Sequence, residues 1–349
     1  MTRRSRDRRP ALQFARFVGG RLLLALIVLW GVVTIVFFVS RVLPGNPVAL
    51  LSGPVANPRT LHDTTIRLGL DKGIATQYRI YLGNLVTGNL GTSFTTGRSV
   101  TSDILTRLPA TLELIIPAFV LSVLLSVGLA SAAAVRPGRV VDVVVRGWTL
   151  AGVAIPTFWL GLLLMLLFWR TLHVVPAPTG RLGILTTPPP SVTGFYVIDS
   201  LLAGDLTAFR DAVGHLILPV ACLVIVVSAP LTRILRASMV EVLGSDYLLA
   251  ARALGVPART RLFKDALKNA TVPVLPVWAS AFGYLIGGAV FVETIYSWPG
   301  IGLYAVTAIA SSDYPAILGF VLVATIIYLL AFLAADVLTH ALDPRVRLA

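Results

Sequence analysis

Acidic residues and cysteine are scarce in this chain of 349 residues. Charged residues make up 13% of it, with 16 Asp and Glu against 29 Lys and Arg, and one cysteine is present. A single cysteine excludes a disulfide or a cysteine-based metal cluster within the chain. Cys222 lies in an apolar run, where a free cysteine behaves as a small hydrophobic residue.

The chain also lacks the motifs of common hydrolytic sites. It has no G-x-x-x-x-G-K-[ST] phosphate-binding loop, no H-E-x-x-H zinc motif and no G-x-S-x-G nucleophile elbow. Its histidines are scattered along the sequence, at His62, His173, His215 and His340. We therefore predict that the chain is not itself an enzyme, that it has no catalytic residue or metal site, and that it binds no cofactor.

Hydrophobic sequence is what the chain has in excess. Hydrophobic residues make up 56% of it and the mean hydropathy is +0.85, as in a multi-spanning membrane protein. Several apolar runs approach or reach the roughly 20 residues that a membrane-crossing helix needs, and none alternates as a strand would. The predicted spans are 22–40, 109–135, 147–169, 215–233, 270–293 and 314–338. These runs predict an all-α integral membrane protein with six transmembrane helices.

Basic residues orient these spans. Five arginines within the first nine residues precede the first run, and the positive-inside rule then predicts that both termini lie in the cytoplasm. The basic residues also favour contact with anionic membrane lipid, and nucleic acid is not an expected partner. The predicted cytoplasmic segments are 1–21, 136–146, 234–269 and 339–349, and the predicted external segments are 41–108, 170–214 and 294–313.

The external segment 41–108 is unusually long and carries seven basic residues. It exceeds the length of about 60 residues over which the positive-inside rule is strongest. Within it, Tyr78, Tyr81, Leu82 and Leu85 recur at helical spacing and predict a short amphipathic helix. The segment 170–214 is rich in Pro and Gly, which predicts an irregular structure.

Carboxylates are nearly absent from the spans. Glu113 and Glu293 fall at the external ends of the second and fifth spans, and Asp336 falls near the cytoplasmic end of the sixth. Two interpretations of Glu113 and Glu293 stay open: solvated carboxylates at the membrane surface, or side chains of the outer mouth that meet a cationic substrate group. A pathway coupled to an ion gradient usually has charges at mid-membrane, which these runs lack.

A soluble-looking stretch, DYLLAARALGVPARTRLFKDALKNA, joins the fourth and fifth spans on the cytoplasmic side. Ser245 or Asp246 can cap a first helix that has Leu248, Ala251 and, at its end, Leu254 on one face. Gly255 suits the end of this helix, and Pro257 suits the start of a second one. The result is a short, rigid pair of helices. It either docks on a cytosolic protein, through its leucine and alanine face, or rests on anionic lipid.

Several motifs of this chain resemble one transporter family. AARALG followed by ALKNATVPVL is similar to the cytoplasmic signature of ABC-importer permeases. The motifs LPGNP, GNLGTSF, LPATLEL, GVAIPTFWLGLLL, HLILPV, VETIYSWPGIG and SDYPAILG occur in the order found in B-type permeases of dipeptide and oligopeptide importers. The resemblance begins near residue 12 and covers nearly the whole remaining chain. It departs from the family at Leu249, at Leu267-Lys268 and at Ser312, where the family commonly has Glu, Leu-Pro and Arg.

The resemblance implies the type I ABC importer permease fold, with an enlarged external segment after the first helix, in the bacterial inner membrane. It implies a heterodimer with a homologous permease, two ABC ATPase subunits that hold ATP and Mg²⁺, and an extracytoplasmic substrate-binding protein. Residues implied to couple to the ATPases are Asp246, Leu248, Ala250, Ala251, Arg252, Gly255, Val256 and Pro257. Candidates for the translocation path and outer gate are Glu113, Trp159, Phe282, Tyr284, Glu293, Trp298, Pro299 and Gly300.

Some alternatives stay open at the level of sequence. Related permeases serve di- or oligopeptides, glutathione, nickel or haem, so the peptide substrate is an expectation from resemblance. An ion-gradient-driven transporter or channel, or a receptor without transport, is the alternative of a different class. Gly283 and Gly287 form a G-x-x-x-G pair that is a candidate seat for the partner permease.

Overall fold

The computed structural model describes residues 8–42, 57–67 and 71–342, and these residues are predominantly helical. No β-strand occurs within those ranges, where the only pairing of this kind is an isolated bridge between Thr92 and Ser99. The expectation of an all-α membrane protein is confirmed for the described part of the chain. The LPGNP motif, Arg3 to Arg6 and the residues from 343 onward lie outside the described residues.

Twelve helices account for most of the described chain, and we number them in order. They are α1 (Arg8–Val42), α2 (Pro58–Arg67), α3 (Ile74–Val86), α4 (Val100–Ala134), α5 (Val140–Ala154), α6 (Thr157–Thr171), α7 (Tyr196–Leu202), α8 (Leu206–Leu243), α9 (Asp246–Ala253), α10 (Ala258–Ile295), α11 (Ile301–Ala310) and α12 (Tyr314–Leu342). The end of α6 is π-helical, and α10 contains a π-helical turn and a 3₁₀ turn near its start.

Five of these helices are long and apolar enough to cross a membrane: α1, α4, α8, α10 and α12. The predicted single span 147–169 is wrong as one helix, because the chain bends by 105° between α5 and α6. Pro156 causes the break, since it has no N–H to donate and disfavours helical backbone at Ile155, which is extended. The two helices qualify as a sixth span only as a bent pair.

Several spans begin or end outside their apolar cores. The fold starts α4 at Val100 rather than 109, and it runs α8 from Leu206 to Leu243 instead of 215–233. A helix satisfies its own backbone hydrogen bonds in water as well as in lipid, so loss of hydrophobicity does not end it. The segment 170–214 is accordingly less irregular than predicted, because it contains α7 and the first turns of α8.

The core forms where α4 and α8 pack along each other, with α10 and α5 against them. Its buried side chains include Leu114, Ile115, Leu223, Leu231 and Leu285. Cys222 is buried in this core and donates a hydrogen bond to the Thr157 carbonyl, so it is not a reactive surface thiol.

Helix α1 lies at the edge of the bundle and contacts α12. Its outer end is covered by α3, which confirms the short amphipathic helix predicted there. Phe37 is buried and its ring lies 5.2 Å from Tyr78 and 5.3 Å from Tyr81, and the hydroxyls of Thr34 and Tyr78 are 2.6 Å apart. This part of the segment predicted to be external therefore packs on the first span.

Candidate coupling surface, cleft and outer closure

The segment predicted to be cytoplasmic folds as a short helix, a glycine turn and a second helix. Ser245 occupies the N-cap position of α9, but its hydroxyl bonds to the Val242 carbonyl rather than to a free amide of α9. At the other end, Val256 N–H donates to the Ala251 carbonyl and Gly255 N–H to the Arg252 carbonyl. This is a Schellman cap, which requires the left-handed backbone that Gly255 adopts at φ +78°.

The chain itself covers part of the predicted docking face of α9. Leu248 is 3% exposed, because that side of the helix contacts the end of α8 and the first turns of α10. Ala251 is partly buried beside it, whereas Leu254 of the same predicted face is exposed. Periodicity identified two faces but gave no sign of which one the chain itself would cover.

The opposite side of α9 is exposed and apolar, and we call it the coupling surface. Leu249 is 50% exposed and Leu254 is 83% exposed. Ala250 and Ala253 lie between them and are exposed as well. A helix that leaves two leucines this exposed beside two alanines presents a typical protein-docking face.

The other predicted coupling residues surround this surface. Asp246 and Arg252 are exposed, and neither has a side-chain ion pair among the described residues. Val256 is partly buried, and Pro257 is the N-cap residue of the second helix rather than part of its first turn. The coupling role of the whole set stays a prediction.

Side-chain contacts hold the two cytoplasmic helices at a fixed angle. Asn269 donates to the Tyr247 hydroxyl at 2.9 Å, and Arg261 Nε donates to the Val256 carbonyl at 3.1 Å. Ser238 of α8 donates to the Ala270 carbonyl at 3.0 Å. Hydrogen bonds therefore join α9 to α10 and α10 to α8.

An ion pair joins α8 to the start of α5 at the same end of the molecule. Asp142 is buried and accepts both Nε and Nη2 of Arg236, the latter at 2.8 Å. Its carboxylate also accepts the Gly138 N–H at 2.8 Å. A bidentate ion pair with this third hydrogen bond fixes both the distance between the two side chains and their relative orientation. It therefore joins the start of α5 firmly to α8.

A cleft of about 600 Å³ opens where the chain breaks between α5 and α6. Its walls come from the break itself, from α8 and from α10. Gly152 brings α5 against α8, since a Cβ at this position would overlap Ala229. Polar groups on the walls are Thr157, Arg233, Ser280 and Tyr284.

The predicted path residues separate in the structure. Tyr284 is exposed and lines the cleft. Trp159 is exposed but does not line it, and Phe282 packs edge-on against Phe119, with ring centres 5.1 Å apart. Gly283 packs against the Tyr328 ring of α12, so the G-x-x-x-G pair is used in part within this chain.

At the outer end, Glu293 is fully buried and closes the start of α11. Thr111 donates its hydroxyl to Glu293 Oε1 at 2.6 Å, and the Leu303 N–H donates to Oε2 at 2.9 Å. The Thr111 oxygen accepts the Ile301 N–H at 2.9 Å. A carboxylate at a helix N-terminus is stabilising, because it satisfies amides without intrahelical partners.

The motif SWPGIG is shaped around this carboxylate. Gly300 is buried, and a Cβ there would overlap both the Glu293 carboxylate and the Thr111 hydroxyl. Trp298 is also buried and donates its indole N–H to the Ala110 carbonyl at 2.8 Å, while Pro299 stays exposed. These residues close the outer end around α4 within this chain.

Glu113 forms a second buried contact, with the segment between α6 and α7. Arg181 donates to Glu113 Oε2 from Nε at 2.9 Å and from Nη2 at 2.5 Å. The guanidinium also donates to the Gly194 carbonyl at 2.7 Å and lies 3.5 Å from the Tyr196 ring centre. Both carboxylates are buried, so the interpretation of Glu113 and Glu293 as solvated groups at the membrane surface is wrong. Their role at the outer mouth stays a prediction.

The loop before α7 is held by a third carboxylate, Asp199. Burial acts against its ionisation, but hydrogen bonds from the Thr193 hydroxyl and from the Thr193, Gly194 and Val192 amides outweigh burial and lower the pKa of Asp199. The ionised Asp199 side chain thus holds residues 192–194 in place before α7.

Comparison with known proteins decides the family. Residues 125–348 match the family described as binding-protein-dependent transport system inner membrane component, and residues 14–115 match the N-terminal domain of the same systems. The chain belongs to this permease family.

Named relatives of the permease cover nearly its whole length. It is 41% identical to a di/tripeptide transport system permease of Pseudomonas aeruginosa over 95% of this chain and 98% of the relative. It is 39% identical to a probable D,D-dipeptide transport system permease of Escherichia coli over 92% of this chain and 94% of the relative. An oligopeptide transport system permease of Bacillus subtilis is 32% identical over 95% of this chain and 99% of the relative. The permease therefore acts in an ABC importer, as its motifs indicated.

Sequence reasoning missed several residues of these sites in the permease. Leu249 appeared only as a departure from the family signature, and Arg233 was not singled out. Pro156 was a usable signal for the break, because a proline in an apolar run of 23 predicted residues interrupts the helix. Thr111 and Arg181 carried no sequence signal, since their partners lie 182 and 68 residues away.

No group of three or more His, Cys, Asp or Glu side chains that could hold a metal ion occurs in the described part of the permease. The prediction that the chain binds no metal or cofactor was made from the sequence and remains a prediction.

Proposed function

We propose that this chain is the transmembrane permease subunit of an ATP-driven importer of di- and oligopeptides. It pairs with a homologous permease in the bacterial inner membrane, with both termini in the cytoplasm. Two cytosolic ATPases hold ATP and Mg²⁺, and an extracytoplasmic binding protein delivers the peptide. The substrate class follows the names of the relatives, which are dipeptide and oligopeptide permeases.

The coupling surface is the observation that carries this proposal. Leu249 and Leu254 project from a capped helix whose other face is covered by its own chain. Asp246, also exposed, lies on the same side of α9 by helical spacing. An anionic lipid surface would repel this carboxylate, whereas a groove on a protein accommodates leucine side chains beside one acidic group.

Closure of the ATPases then moves the spans through a short chain of fixed contacts. Force on α9 passes to α10 through Tyr247 and Asn269, and α8 is held to the same unit by Ser238. Helices α8 and α10 form two walls of the cleft. A change in their separation opens or closes the cleft, which is how hydrolysis outside the membrane changes access within it.

Ion-gradient coupling is less compatible with these contacts. Glu113 is paired with Arg181, and Glu293 is hydrogen-bonded to Thr111 and to the amide of Leu303. Neither carboxylate is free to carry an ion across the membrane. Import of glutathione, nickel or haem keeps the same architecture and differs in the binding protein.

A pair of leucine substitutions tests the proposal. Leu254→Glu places a charge in the docking face, and loss of one central apolar anchor weakens an interface by about 2 kcal/mol or about 30-fold. We expect the ATPase subunits to be lost from the purified complex and ATP-dependent uptake of labelled dipeptide to stop. Leu185→Glu is the matched control, since Leu185 is exposed in the external loop.

Two results would contradict the proposal. Uptake and ATPase association that survive in Leu254→Glu at normal membrane levels would remove the coupling role. Dipeptide uptake by the unmodified complex that continues without ATP, and stops when the ion gradient is dissipated, would favour a secondary transporter.

A further inference from the structure

Arg233 is a cation without a partner at the wall of the cleft. It lies on α8 one turn before Arg236, and its side chain is exposed. Arg236 is paired with Asp142, but Arg233 forms no ion pair and no side-chain hydrogen bond within residues 8–42, 57–67 and 71–342. Of the described residues that line the cleft, it alone is charged. A cation beside apolar walls is stabilised by an anion that enters from outside.

The rest of the cleft supplies the other contacts of a small zwitterion. The hydroxyls of Thr157, Ser280 and Tyr284 lie on its walls, and Ser280 already donates to the Pro276 carbonyl, which leaves its oxygen to accept. Helix α5 ends in the cleft at Ala154. The carbonyl end of a helix carries partial negative charge and favours a cation.

The size and position of the cleft fit a binding site for a transported molecule better than a packing defect. A volume of about 600 Å³ falls within the range of roughly 300–1,000 Å³ typical of small-molecule sites. Irregular backbone at membrane depth is tolerated where it lines a cavity, and broken helices commonly form the substrate sites of transporters. The break at Ile155 and Pro156 forms part of the cleft wall.

We infer that Arg233 binds the terminal carboxylate of a short peptide in transit, in the cleft between α5, α8 and α10, with the peptide's ammonium group towards the end of α5. Arg233 is thus a specificity residue of the permease itself, in addition to any selection by a binding protein. The inference rests on the proposed peptide substrate.

Thiol labelling in the assembled complex tests the charge of the cleft directly. Cys222 is buried, so Ser280→Cys places the reactive thiol in the cleft. Its labelling rates are measured with an anionic sulfonate and a cationic ammonium methanethiosulfonate reagent. We expect Arg233→Gln to lower the anionic-to-cationic rate ratio about tenfold, since a cleft focuses the field of one charge. Arg233→Lys should keep the ratio within about twofold of the parent, because the charge is retained.

Protection by ligands identifies the occupant. Millimolar dipeptide should slow labelling of Ser280→Cys, its C-terminal amide should not, and the protection should vanish with Arg233→Gln. Arg210→Gln is the control, because Arg210 is exposed at the external end of α8, away from the cleft. A rate ratio that Arg233→Gln leaves unchanged overturns the inference.

Other occupants give different results. Protection by phosphatidylglycerol vesicles but not by dipeptide assigns Arg233 to lipid, and a thiol that stays unlabelled in the complex means that the partner permease fills the cleft. Either result overturns the inference. Wild-type uptake of labelled dipeptide is measured alongside: if it occurs while protection fails, only the role of Arg233 is wrong. If no peptide is imported, the proposed substrate fails and the inference fails with it.

Discussion

Thr111→Val removes one hydroxyl from the buried contact that closes the outer end, and its effect can be worked out from the geometry. The hydroxyl donates to Glu293 at 2.6 Å and accepts the Ile301 amide at 2.9 Å. A typical hydrogen bond contributes about 0.5–1.5 kcal/mol, and a buried amide left unpaired costs about 1–3 kcal/mol. Valine keeps nearly the same volume, so a cavity adds little. We expect a loss of about 2–4 kcal/mol.

Thermal unfolding of the purified complex measures this loss. A large domain loses about 2 °C of Tm for each kcal/mol, which predicts a drop of about 4–8 °C. Thr294→Val is the matched control, since Thr294 follows Glu293 on the same helix and its exposed hydroxyl bonds only to the Val290 carbonyl. Equal Tm values for the two variants would refute the role given to Thr111.

Three other substitutions each disrupt a different contact or turn of the fold. Asp142→Asn removes the buried charge that pairs with Arg236; we expect a loss of about 3–5 kcal/mol and more ATP hydrolysed per peptide imported. Gly255→Val strains a position at φ +78° by about 1–3 kcal/mol, and we expect ATPase activity to persist while uptake falls. Arg181→Lys loses the bidentate bonds to Glu113, so the loop before α7 should be cut faster by external protease.

Each of these variants has a control of the same chemistry. Glu241→Gln neutralises an exposed carboxylate on α8, Gly73→Val enlarges an open site without positive φ, and Arg210→Lys changes an exposed arginine. The assigned roles are wrong if Asp142→Asn keeps the wild-type ratio of ATP to peptide, if Gly255→Val transports normally, or if protease cuts Arg181→Lys no faster than Arg210→Lys.

The sequence predicted the helices and turns whose signals lie in neighbouring residues. Apolar runs predicted the long helices, and glycine after a periodic stretch predicted the turn at Gly255. The sequence did not show which face of α9 would be buried. Leu248 and Leu249 are adjacent leucines, and only the packing of α9 against α8 and α10 decides that Leu248 is covered and Leu249 exposed.

The site contacts could not be predicted because they join distant parts of the chain. Thr111 and Glu293 are 182 residues apart, and Asp142 and Arg236 are 94 apart. A carboxylate at the end of an apolar run is usually near water, so Glu293 was expected either at the membrane surface or at the outer mouth. The fold buries it because the SWPGIG turn brings the amides of α11 back to it.

Photo-crosslinking from one position tests whether the coupling surface docks on the ATPase. A benzophenone attached to Leu254→Cys in the assembled complex reports what that side chain touches, because Cys222 is buried and does not compete for the label. We expect a crosslink to the ATP-hydrolysing subunit, and none from Leu185→Cys on the loop predicted to be external. Crosslinks from position 254 to lipid alone would contradict it.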